Sequence, residues 1–465
     1  MKNTFASFGA AREVTGSKHI ITLNGINILI DCGMFQGSRK ETEYKNKRLN
    51  FDPKSIDIAI CTHGHFDHCG NYPTLLNNGY SGFIYSTDAT KQIADIVLKD
   101  SAHIQQADIE YLRKKAKKYN IDFEDKQPLY TLEDVGRVVN VWKTYPYNKW
   151  VQISKNIRFK FIDAGHILGS AQVIIETDNR RILFTGDLGR KGMPILNDPV
   201  FADPVDIIIT EATYGDRVHD KWEDLEKKLA DFINKIYNRN GRIIVPSFAI
   251  GRTQELVYML HILEDKKMIP QDMEIFVDSP MAINITEIFK NHPECYDDET
   301  KEAFIRHSKN PFGFNKLKYI QSVEQSKMLN DYKKPCIIIS ASGMAESGRV
   351  LHHLANSIED PKNAVMIVGF MAQNTLGRRL VDKAPVVKIF GENYENNAEL
   401  AVFNAFSAHA DYLELTEYLN HYKKSLKQLF LVHGESRVLD KYKQYLIDNG
   451  YDKVNIAEFS QFYEI

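Results

Sequence analysis

The amino-acid sequence predicts an α/β protein in which one domain is inserted into another. A chain of 465 residues is too long for one small core. Short β-rich segments fill most of the first 190 residues, strand–loop–helix units follow from about residue 210, and short elements that carry histidines return after about residue 395. We therefore predict a first domain made of residues 1–210 and 395–465, and an inserted domain made of residues 211–394.

The first domain begins with strands and one long helix. The segment "KHIITLNGINILIDCG" predicts a β-hairpin with Asn24 and Gly25 at its tip. Residues 86–120 carry apolar side chains at helical spacing. A second β-rich block over residues 137–190 ends in "RRILFTGDLGR".

The inserted block has a different pattern. It contains four strand–loop–helix units, "RIIVPSFAIGRTQELVYML", "MEIFVDSPMAINITEIF", "PCIIISASGMAESGRVLHHL" and "AVMIVGFMAQNTLGRRLV". Continuous β-branched runs followed by amphipathic helices are typical of a parallel sheet that is covered on both faces.

Composition excludes several classes of protein. The apolar runs are far shorter than the 18 or so residues that span a bilayer, and the N-terminal segment lacks the apolar core of a signal peptide, so we predict a cytoplasmic protein that does not enter a membrane. The five cysteines are scattered without a CxxC pair, which argues against a disulfide framework or a cysteine zinc site. A formal charge of −2 provides no overall attraction to nucleic acid but leaves a local basic groove open.

Acidic and histidine side chains follow the ends of several predicted strands. The stretch "CTHGHFDHCGN" places three histidines and one aspartate within six residues after the strand "SIDIAI". Because buried imidazoles are costly without a partner, this cluster favours metal binding over a structural role. The candidate metal ligands are His63, His65, Asp67, His68, His166, Asp187 and His433. Imidazole and carboxylate together suit zinc, with manganese or iron as alternatives.

The spacing of these ligands predicts two ions. His63 and His65 lie two residues apart and project to the same side of an extended segment, so they can bind one ion. Asp67 and His68 are adjacent and diverge, so they can bind a second. Seven candidates exceed the needs of one tetrahedral ion, and Asp187 is a natural bridge in a two-metal site of the kind that hydrolyses phosphate esters.

These motifs resemble the metallo-β-lactamase superfamily. The signature H-x-H-x-D-H, Asp31 in "LIDCG", "DAGHILGSA" and "FTGDLGR" match the motifs of that superfamily. The further motifs "TEATYGDR", "FSAHAD" and "LVHGE" are similar to those of the β-CASP nucleases, in the branch that includes the RNA-cleaving subunit of the cleavage and polyadenylation machinery. The resemblance implies an αββα sandwich with an inserted α/β cap domain that contains a mainly parallel sheet.

The resemblance also implies roles for single residues. Glu211, His409 and His433 occupy the three further motifs, and the histidine at position 433 favours RNA over DNA. On spacing alone His409 could equally be another metal ligand or a core residue. The resemblance favours His409 as the donor of a proton to the leaving oxygen, held by Glu211, with Asp67 as the third catalytic residue.

Arginines in the inserted block are candidates for holding the substrate. Arg252, Arg349 and Arg378 lie in or just after strand-to-helix loops, and Ser342 lies in the glycine-rich loop "SASGMAESGR". Such loops suit anions, and arginine adds bidentate contacts to phosphate. Some of these arginines could instead bridge the two domains.

The sequence therefore predicts a hydrolase, a ribonuclease that uses two Zn²⁺ ions, with Mn²⁺ as the alternative. Hydroxide activated by two metals would cleave phosphodiester bonds of single-stranded RNA in an interdomain cleft. Cleavage is predicted to be endonucleolytic, with 5′-to-3′ exonuclease activity as an option. The alternative functions are a dizinc hydrolase of small esters, thioesters or phosphodiesters, and a catalytically idle RNA-binding scaffold. A homodimer is compatible with the sequence.

Overall fold

A computed structural model describes residues 2–37, 39–119, 127–219, 225–307, 310, 312–369, 371 and 374–465. The chain divides into two compact units. The first comprises residues Met1–Gly192, Asp198–Val218 and His409–Ile465, and the second comprises Met193–Asn197 and His219–Ala408.

The strands in chain order are β1 (Thr4–Gly9), β2 (Lys18–Leu23), β3 (Ile26–Ile30), β4 (Ile58–Ile60), β5 (Ile84–Ser86), β6 (Trp142–Thr144), β7 (Val151–Ser154), β8 (Ile157–Asp163), β9 (Ala171–Thr177), β10 (Arg181–Phe184), β11 (Ile207–Glu211), β12 (Arg242–Pro246), β13 (Glu274–Val277), β14 (Leu317–Tyr319), β15 (Cys336–Ser340), β16 (Ala364–Ile367), β17 (Val386–Ile389), β18 (Glu392–Glu395), β19 (Glu399–Val402), β20 (Gln428–Val432), β21 (Val454–Ile456) and β22 (Phe462–Glu464).

The α-helices are α1 (Arg39–Lys47), α2 (Phe66–Cys69), α3 (Tyr72–Asn77), α4 (Asp88–Tyr119), α5 (Leu132–Asn140), α6 (Leu225–Asn238), α7 (Arg252–Asp265), α8 (Pro280–Asn291), α9 (Asp298–His307), α10 (Val323–Met328), α11 (Arg349–Ala355), α12 (Leu376–Val381), α13 (Tyr412–Asn420) and α14 (Ser436–Asp448).

The first unit contains two mixed sheets. Their strand orders are β22-β1-β2-β3-β4-β5-β6 and β21-β20-β11-β10-β9-β8-β7. The predicted hairpin is confirmed: β2 and β3 pair antiparallel, and Asn24 and Gly25 both adopt positive φ between them, as a tight hairpin turn requires. The strands β10, β11, β20 and β21 run parallel, so their carboxyl ends meet at one edge of the second sheet.

The two sheets pack face to face. Ile28 and Ile60 of the first sheet share a buried apolar cluster with Phe159 and Ile182 of the second. Alternate strand residues supply this core because side chains of a strand point to opposite faces.

Helices cover the outer face of each sheet. At the first sheet, the ring of Tyr72 in α3 packs on that of Trp142 in β6, with 5.3 Å between the ring centroids. On the second sheet, Leu415 of α13 and Tyr442 of α14 pack into one cluster with Leu183 of β10. The predicted αββα sandwich is confirmed.

The second unit is built on a six-stranded sheet with the order β14-β13-β15-β12-β16-β19, in which all neighbours are parallel. Ile243 and Ile244, successive residues of β12, are both fully buried, so both faces of the sheet are covered. The predicted parallel sheet of the inserted block is confirmed.

The boundaries of the inserted unit differ from the predicted 211–394. Glu211 is the last residue of β11, which pairs with β10 and β20 of the first unit. At the other end, β19 pairs with β16 of the second unit, so residues beyond 394 still belong to the inserted sheet. Both boundaries are set by pairing between strands that are distant in sequence. The local pattern of residues does not show which strands pair.

Candidate metal centre

The loop after β4 carries four of the predicted ligands. β4 is a short central strand, and the chain passes from it through Thr62 to His63 before α2 begins at Phe66. Gly64 makes this turn possible, because a Cβ there would lie 2.5 Å from Cγ2 of Ile93 in α4. The loop is therefore held close to α4, with His63 fully buried beneath it.

Other loops complete the site from the carboxyl ends of their strands. His166 follows β8, Asp187 follows β10 and His433 follows β20. The loops of His166 and Asp187 touch through backbone, since a Cβ on Gly189 would lie 1.8 Å from the carbonyl oxygen of Gly165. Strand ends that share an edge thus gather ligands from distant parts of the sequence.

A first group of ligand atoms comes from His63, His65, His166 and Asp187. Nδ1 of His65 lies 3.1 Å from Nε2 of His63 and 3.2 Å from Nε2 of His166. Oδ2 of Asp187 lies 3.4 Å from Nε2 of His63 and 3.6 Å from Nε2 of His166.

A second group comes from Asp67, His68 and His433. Nε2 of His433 lies 3.2 Å from Nε2 of His68 and 3.4 Å from Oδ2 of Asp67. Oδ2 of Asp187 lies 3.3 Å from Nε2 of His68, so this one carboxylate oxygen touches both groups. His63 and His65 thus lie in one group and Asp67 and His68 in the other, as their spacing predicts, with Asp187 between the groups. The sequence did not predict which group contains His166 and which contains His433.

The donor set fits metal ions. Two ligand atoms bound to a tetrahedral zinc ion at about 2.0–2.1 Å are separated by about 3.3–3.4 Å. The separations within each group span 3.1–3.6 Å. Oδ1 of Asp187 is also buried without a hydrogen-bond partner in the described part of the chain. A buried carboxylate oxygen without a donor is costly, and a cation would remove that cost.

The electrostatics of the site favour ionised carboxylates. Burial opposes ionisation of Asp67 and Asp187, but the surrounding histidines, with His433 first, outweigh burial and hold the pKa of both carboxyls far below the usual range. Burial, together with the nearby His63, lowers the pKa of His65 to about 3, so this ring is neutral as a ligand must be.

Glu211 and His409 form a third group with Asp187. Nδ1 of His409 lies 3.0 Å from both carboxylate oxygens of Glu211 and 3.9 Å from Oδ2 of Asp187. Burial disfavours the imidazolium of His409, but the charge of Glu211 outweighs burial and raises the pKa of the ring to about 9. The ring is therefore suited to carry a proton, and it lies with its centroid 4.5 Å from that of His166.

Groups behind the ligands orient them. Nδ1 of His68 lies 2.8 Å from Oδ2 of Asp31, the aspartate of the "LIDCG" motif. Thr62 and Thr213 contact Nδ1 of His63 and of His433, each at 3.0 Å. Neither threonine was predicted from the sequence. The only signal available was position, because Thr62 immediately precedes His63 and Thr213 follows Glu211 by two residues.

Cys61 and Cys69 flank the first ligand loop but do not contribute to it. Both are fully buried, and their thiols donate to the backbone carbonyls of His63 and Gly64. Burial raises the pKa of both thiols far above the usual range, so they are protonated. They act as small core residues.

Two of the predicted substrate-binding residues are engaged within the second unit. Arg252 is buried, pairs with Glu255 one turn further along α7, and lies over the ring of Phe406. Its Nε has no hydrogen-bond partner in the described residues. The hydroxyl of Ser342 accepts a hydrogen bond from the backbone N–H of Glu346.

The other two arginines differ in exposure. Nη1 of Arg349 donates to Oδ1 of the fully buried Asp278 at 2.6 Å, and Nη2 donates to the carbonyl of Gln321 at 2.9 Å. The side chain of Arg378 is 36% exposed and pairs with Asp382 one turn along α12. Of the three arginines, Arg378 has the most exposed side chain, since those of Arg349 and Arg252 are 20% and 7% exposed.

Within the described residues, no helix has both the length and the apolar character needed to cross a membrane.

Sequence profiles of three families match consecutive parts of the chain. The profile of the metallo-beta-lactamase superfamily matches residues 16–141, the Beta-Casp domain matches residues 253–380, and the Zn-dependent metallo-hydrolase RNA specificity domain matches residues 393–457. The first match contains the H-x-H-x-D-H loop, and the third contains His409 and His433.

Curated relatives match over almost the whole chain. Ribonuclease TTHA0252 of Thermus thermophilus is 33% identical over 454 residues, which cover 98% of each chain. The transcription termination factor FttA of Methanocaldococcus jannaschii is 29% identical and covers 93% of this chain, which spans 67% of that protein. Cleavage and polyadenylation specificity factor 73 of Drosophila melanogaster is 28% identical and covers 94% of this chain, which spans 60% of that protein.

A solved structure of a protein of unknown function from Enterococcus faecalis has the same fold, with a TM-score of 0.55, 13% identity and full coverage of both chains. The chain belongs to the β-CASP family of the metallo-β-lactamase superfamily, in its RNA-processing branch.

Proposed function

We propose that the chain is a metal-dependent ribonuclease that hydrolyses phosphodiester bonds of single-stranded RNA. The observation that carries this proposal is the contact between His409 and Glu211 directly beside Asp187, the carboxylate shared by both ligand groups. This places an imidazole whose charged form Glu211 favours next to a site suited to two cations. The names of the relatives, which include a ribonuclease and a cleavage and polyadenylation specificity factor, support RNA as substrate and do not favour the alternative of a small-ester hydrolase.

We assign one ion to each ligand group. His63, His65 and His166 would hold one, Asp67, His68 and His433 the other, and Asp187 would bridge them. The mix of imidazole and carboxylate suits zinc, with manganese as the alternative. Two such ions, when bound, would activate a water near neutral pH and neutralise charge that develops on the phosphoryl oxygens.

His409 supplies the proton that the leaving oxygen needs. Glu211 engages Nδ1 of the ring, so the ring can reach a substrate only through Nε2. The carboxylate also keeps the ring protonated near neutral pH, since it raises the pKa of His409 to about 9. Glu211 is fixed in turn by the backbone N–H of Leu188, which donates to Oε1 at 2.6 Å.

The second unit supplies contacts to the RNA backbone. Arg378 is the strongest candidate, because its side chain is the most exposed of the three arginines and its only described ion pair is a surface pair with Asp382. Arg252, Ser342 and Arg349 remain proposed contacts, although Arg252 and Arg349 are engaged by the acidic side chains of Glu255 and Asp278. Contact with RNA would require each arginine to share its guanidinium between an acid and a phosphate.

Cleavage of one RNA labelled at its 5′ end tests the proposal. Wild type is expected to cut RNA and spare DNA of the same sequence, while Asp67→Ala and His409→Ala lose cleavage. His421→Ala is the matched control, because His421 is an exposed histidine outside the ligand groups. Internal fragments would indicate an endonuclease, and labelled mononucleotide would indicate 5′-to-3′ exonuclease action.

The proposal fails if metal-loaded wild type leaves RNA intact but hydrolyses a thioester or a small phosphodiester. Binding of RNA without cleavage by the metal-loaded protein would instead indicate an RNA-binding scaffold. A cytoplasmic location and a homodimer remain predictions, which fractionation of cells and light scattering would test.

A further inference from the structure

We infer that Thr62 and Thr213 are positioning residues that fix the ring tautomers of His63 and His433, one in each ligand group. This inference rests on the proposed metal centre but not on the identity of the substrate. Each threonine hydroxyl lies between a buried carboxylate and Nδ1 of one histidine ligand.

Thr62 links Asp31 to His63. Its Oγ1 lies 2.8 Å from Oδ2 of Asp31 and 3.0 Å from Nδ1 of His63. The backbone N–H of Thr62 also donates to Oδ1 of Asp31 at 2.7 Å, and Nδ1 of His68 lies 2.8 Å from Oδ2. Asp31 therefore faces three groups that can donate a hydrogen bond. All of these residues are almost fully buried.

Thr213 links Glu211 to His433 in the same way. Its hydroxyl donates to Oε2 of Glu211, and its Oγ1 lies 3.0 Å from Nδ1 of His433. The carbonyl oxygen of His433 lies 3.2 Å from the same hydroxyl. Glu211 also receives the backbone N–H of Leu188 at 2.6 Å, so it too is surrounded by donors.

The single proton of each threonine hydroxyl then determines the tautomers of His63 and His433. A threonine hydroxyl has one proton to donate and two lone pairs to accept with. The hydroxyl of Thr62 donates its proton to Asp31. The hydroxyl of Thr213 donates its proton to Glu211 or to the backbone carbonyl of His433. The oxygen can face Nδ1 only as an acceptor, so Nδ1 of His63 and of His433 must carry the hydrogen.

This tautomer leaves the lone pair on Nε2, which is the nitrogen that faces the other ligand atoms in each group. Nε2 of His63 lies 3.4 Å from Oδ2 of Asp187, in the first group. Nε2 of His433 lies 3.4 Å from Oδ2 of Asp67, in the second. Partners behind a ligand histidine orient the ring and increase its basicity, and their loss reduces metal affinity. Each threonine should therefore act on one ion.

The link through Thr213 has a second consequence. Glu211 contacts Nδ1 of His409 with both of its oxygens and accepts the hydroxyl of Thr213 with one of them. One carboxylate thus orients both the proposed proton donor and, through Thr213, a metal ligand. Threonine suits this position because its branched Cβ restricts the side-chain rotamer.

Substitution of each threonine tests the inference. Thr62→Val and Thr213→Val keep the shape of the side chain and remove the hydroxyl. Each is expected to bind one of two zinc ions about 10–100-fold more weakly in competition with a chelator. Thr62→Ser and Thr213→Ser should recover most of the affinity. Thr416→Val is the control, since Thr416 is a buried threonine of the first unit whose hydroxyl contacts Tyr412 and Tyr442 but no ligand.

A second measurement does not depend on the folding of any variant. Long-range ¹⁵N–¹H spectra of wild-type protein labelled on histidine and loaded with zinc should show hydrogen on Nδ1 and metal on Nε2 for His63 and His433. The inference is wrong if either ring carries its hydrogen on Nε2, or if folded valine variants bind both ions as wild type does. Altered zinc affinity in a protein that does not cleave RNA would sustain this inference and reject the proposed function.

Discussion

Nδ1 of His409 lies 3.0 Å from each of the two carboxylate oxygens of Glu211. The pair is contributed by segments separated by 198 positions in the chain, at the end of β11 and just before α13. Because Nδ1 of His409 faces both carboxylate oxygens, Glu211 fixes the orientation of the ring and also favours its charged form. Two predictions about this pair separate a proton donor from a metal ligand.

His409→Ala should reduce the single-turnover rate of RNA cleavage by about 10²–10⁴-fold, the usual contribution of a general acid. Zinc content should stay at the wild-type value, since His63, His65, His166 and Asp187 form their group without this ring. The rate is measured by quenched flow and the metal by elemental analysis of the same sample. A loss of one zinc ion per chain in His409→Ala would identify the residue as a ligand and contradict the assignment.

Glu211→Gln should also reduce cleavage, because the neutral amide no longer favours the imidazolium of His409. The rate should recover as pH is lowered below the ordinary histidine pKa of about 6.5, where the ring is protonated without help. His409→Ala offers no such recovery, so comparison of the two pH profiles is the measurement. A Glu211→Gln profile parallel to that of wild type would contradict the role given to this carboxylate.

Asp187 should be the residue on which both ions depend. Asp187→Asn keeps the size of the side chain and removes the charge that lies 3.3 Å from His68 and 3.4 Å from His63. Zinc is expected to fall below one ion per chain. Zinc at 100 times its dissociation constant stabilises a site by about 2.7 kcal/mol, and this variant should lack the corresponding rise in melting temperature.

The control for this prediction is Asp203→Asn, which changes a carboxylate that is 70% exposed. It should bind zinc as wild type does. Retention of two tightly bound ions by Asp187→Asn would show that the two groups do not share this ligand.

The sequence predicted more of the ligand groups than of what surrounds them. Histidine and aspartate at strand ends are visible in the sequence because few other roles explain them, and parallel strands bring their carboxyl ends to one edge. Thr62 and Thr213 were missed because threonine is common in strands and loops, and only the three-dimensional contact with Nδ1 distinguishes these two.

The cap arginines show a different limit. Arg349 was predicted to contact phosphate because it opens a helix after a glycine-rich loop. In the structure it is paired with Asp278, which lies 71 positions earlier at the end of the neighbouring strand β13. Sequence spacing within one strand–loop–helix unit cannot show which side chains the adjacent unit brings to the same place.

Asp278 should make the stability of the protein depend on acid pH. Burial opposes ionisation of this carboxyl, but hydrogen bonds from His353, Ser326 and Arg349 outweigh burial and lower its pKa below the usual value. As pH falls through about 4, the unfolded chain takes up the proton first, so stability present above that pH is lost below it. Asp278→Asn should have a lower melting temperature at pH 7 and a weaker fall with acid.

Thermal unfolding between pH 3 and 7 measures this effect. Asp382→Asn is the matched control, because Asp382 is a half-exposed carboxylate in a surface pair with Arg378. That variant should follow the wild-type curve, since exposed pairs contribute about 0–1 kcal/mol. An identical dependence of melting temperature on acid pH in wild type and Asp278→Asn would contradict the link between the ionisation of Asp278 and stability.

Arg378 and Arg252 should respond in opposite ways to replacement by alanine. Arg378→Ala removes a partly exposed charge, so folding stability should stay within about 0.5 kcal/mol while the affinity for single-stranded RNA falls. The slope of log affinity against log salt should decrease by about 0.7, the value for one lost phosphate contact on a single strand. Arg252→Ala instead leaves Glu255 buried without its partner, which is expected to cost about 3–5 kcal/mol of stability.

The control for the binding measurement is Lys388→Ala, which removes one exposed positive charge from β17 in the same unit. Binding of labelled RNA to a cleavage-deficient Asp67→Ala background is measured at several salt concentrations. If Lys388→Ala changes the salt slope as much as Arg378→Ala does, the effect reflects net charge and not a specific contact. If Arg252→Ala remains as stable as wild type but loses RNA affinity, the pair with Glu255 does not stabilise the fold, and Arg252 itself contacts the phosphate backbone of the RNA.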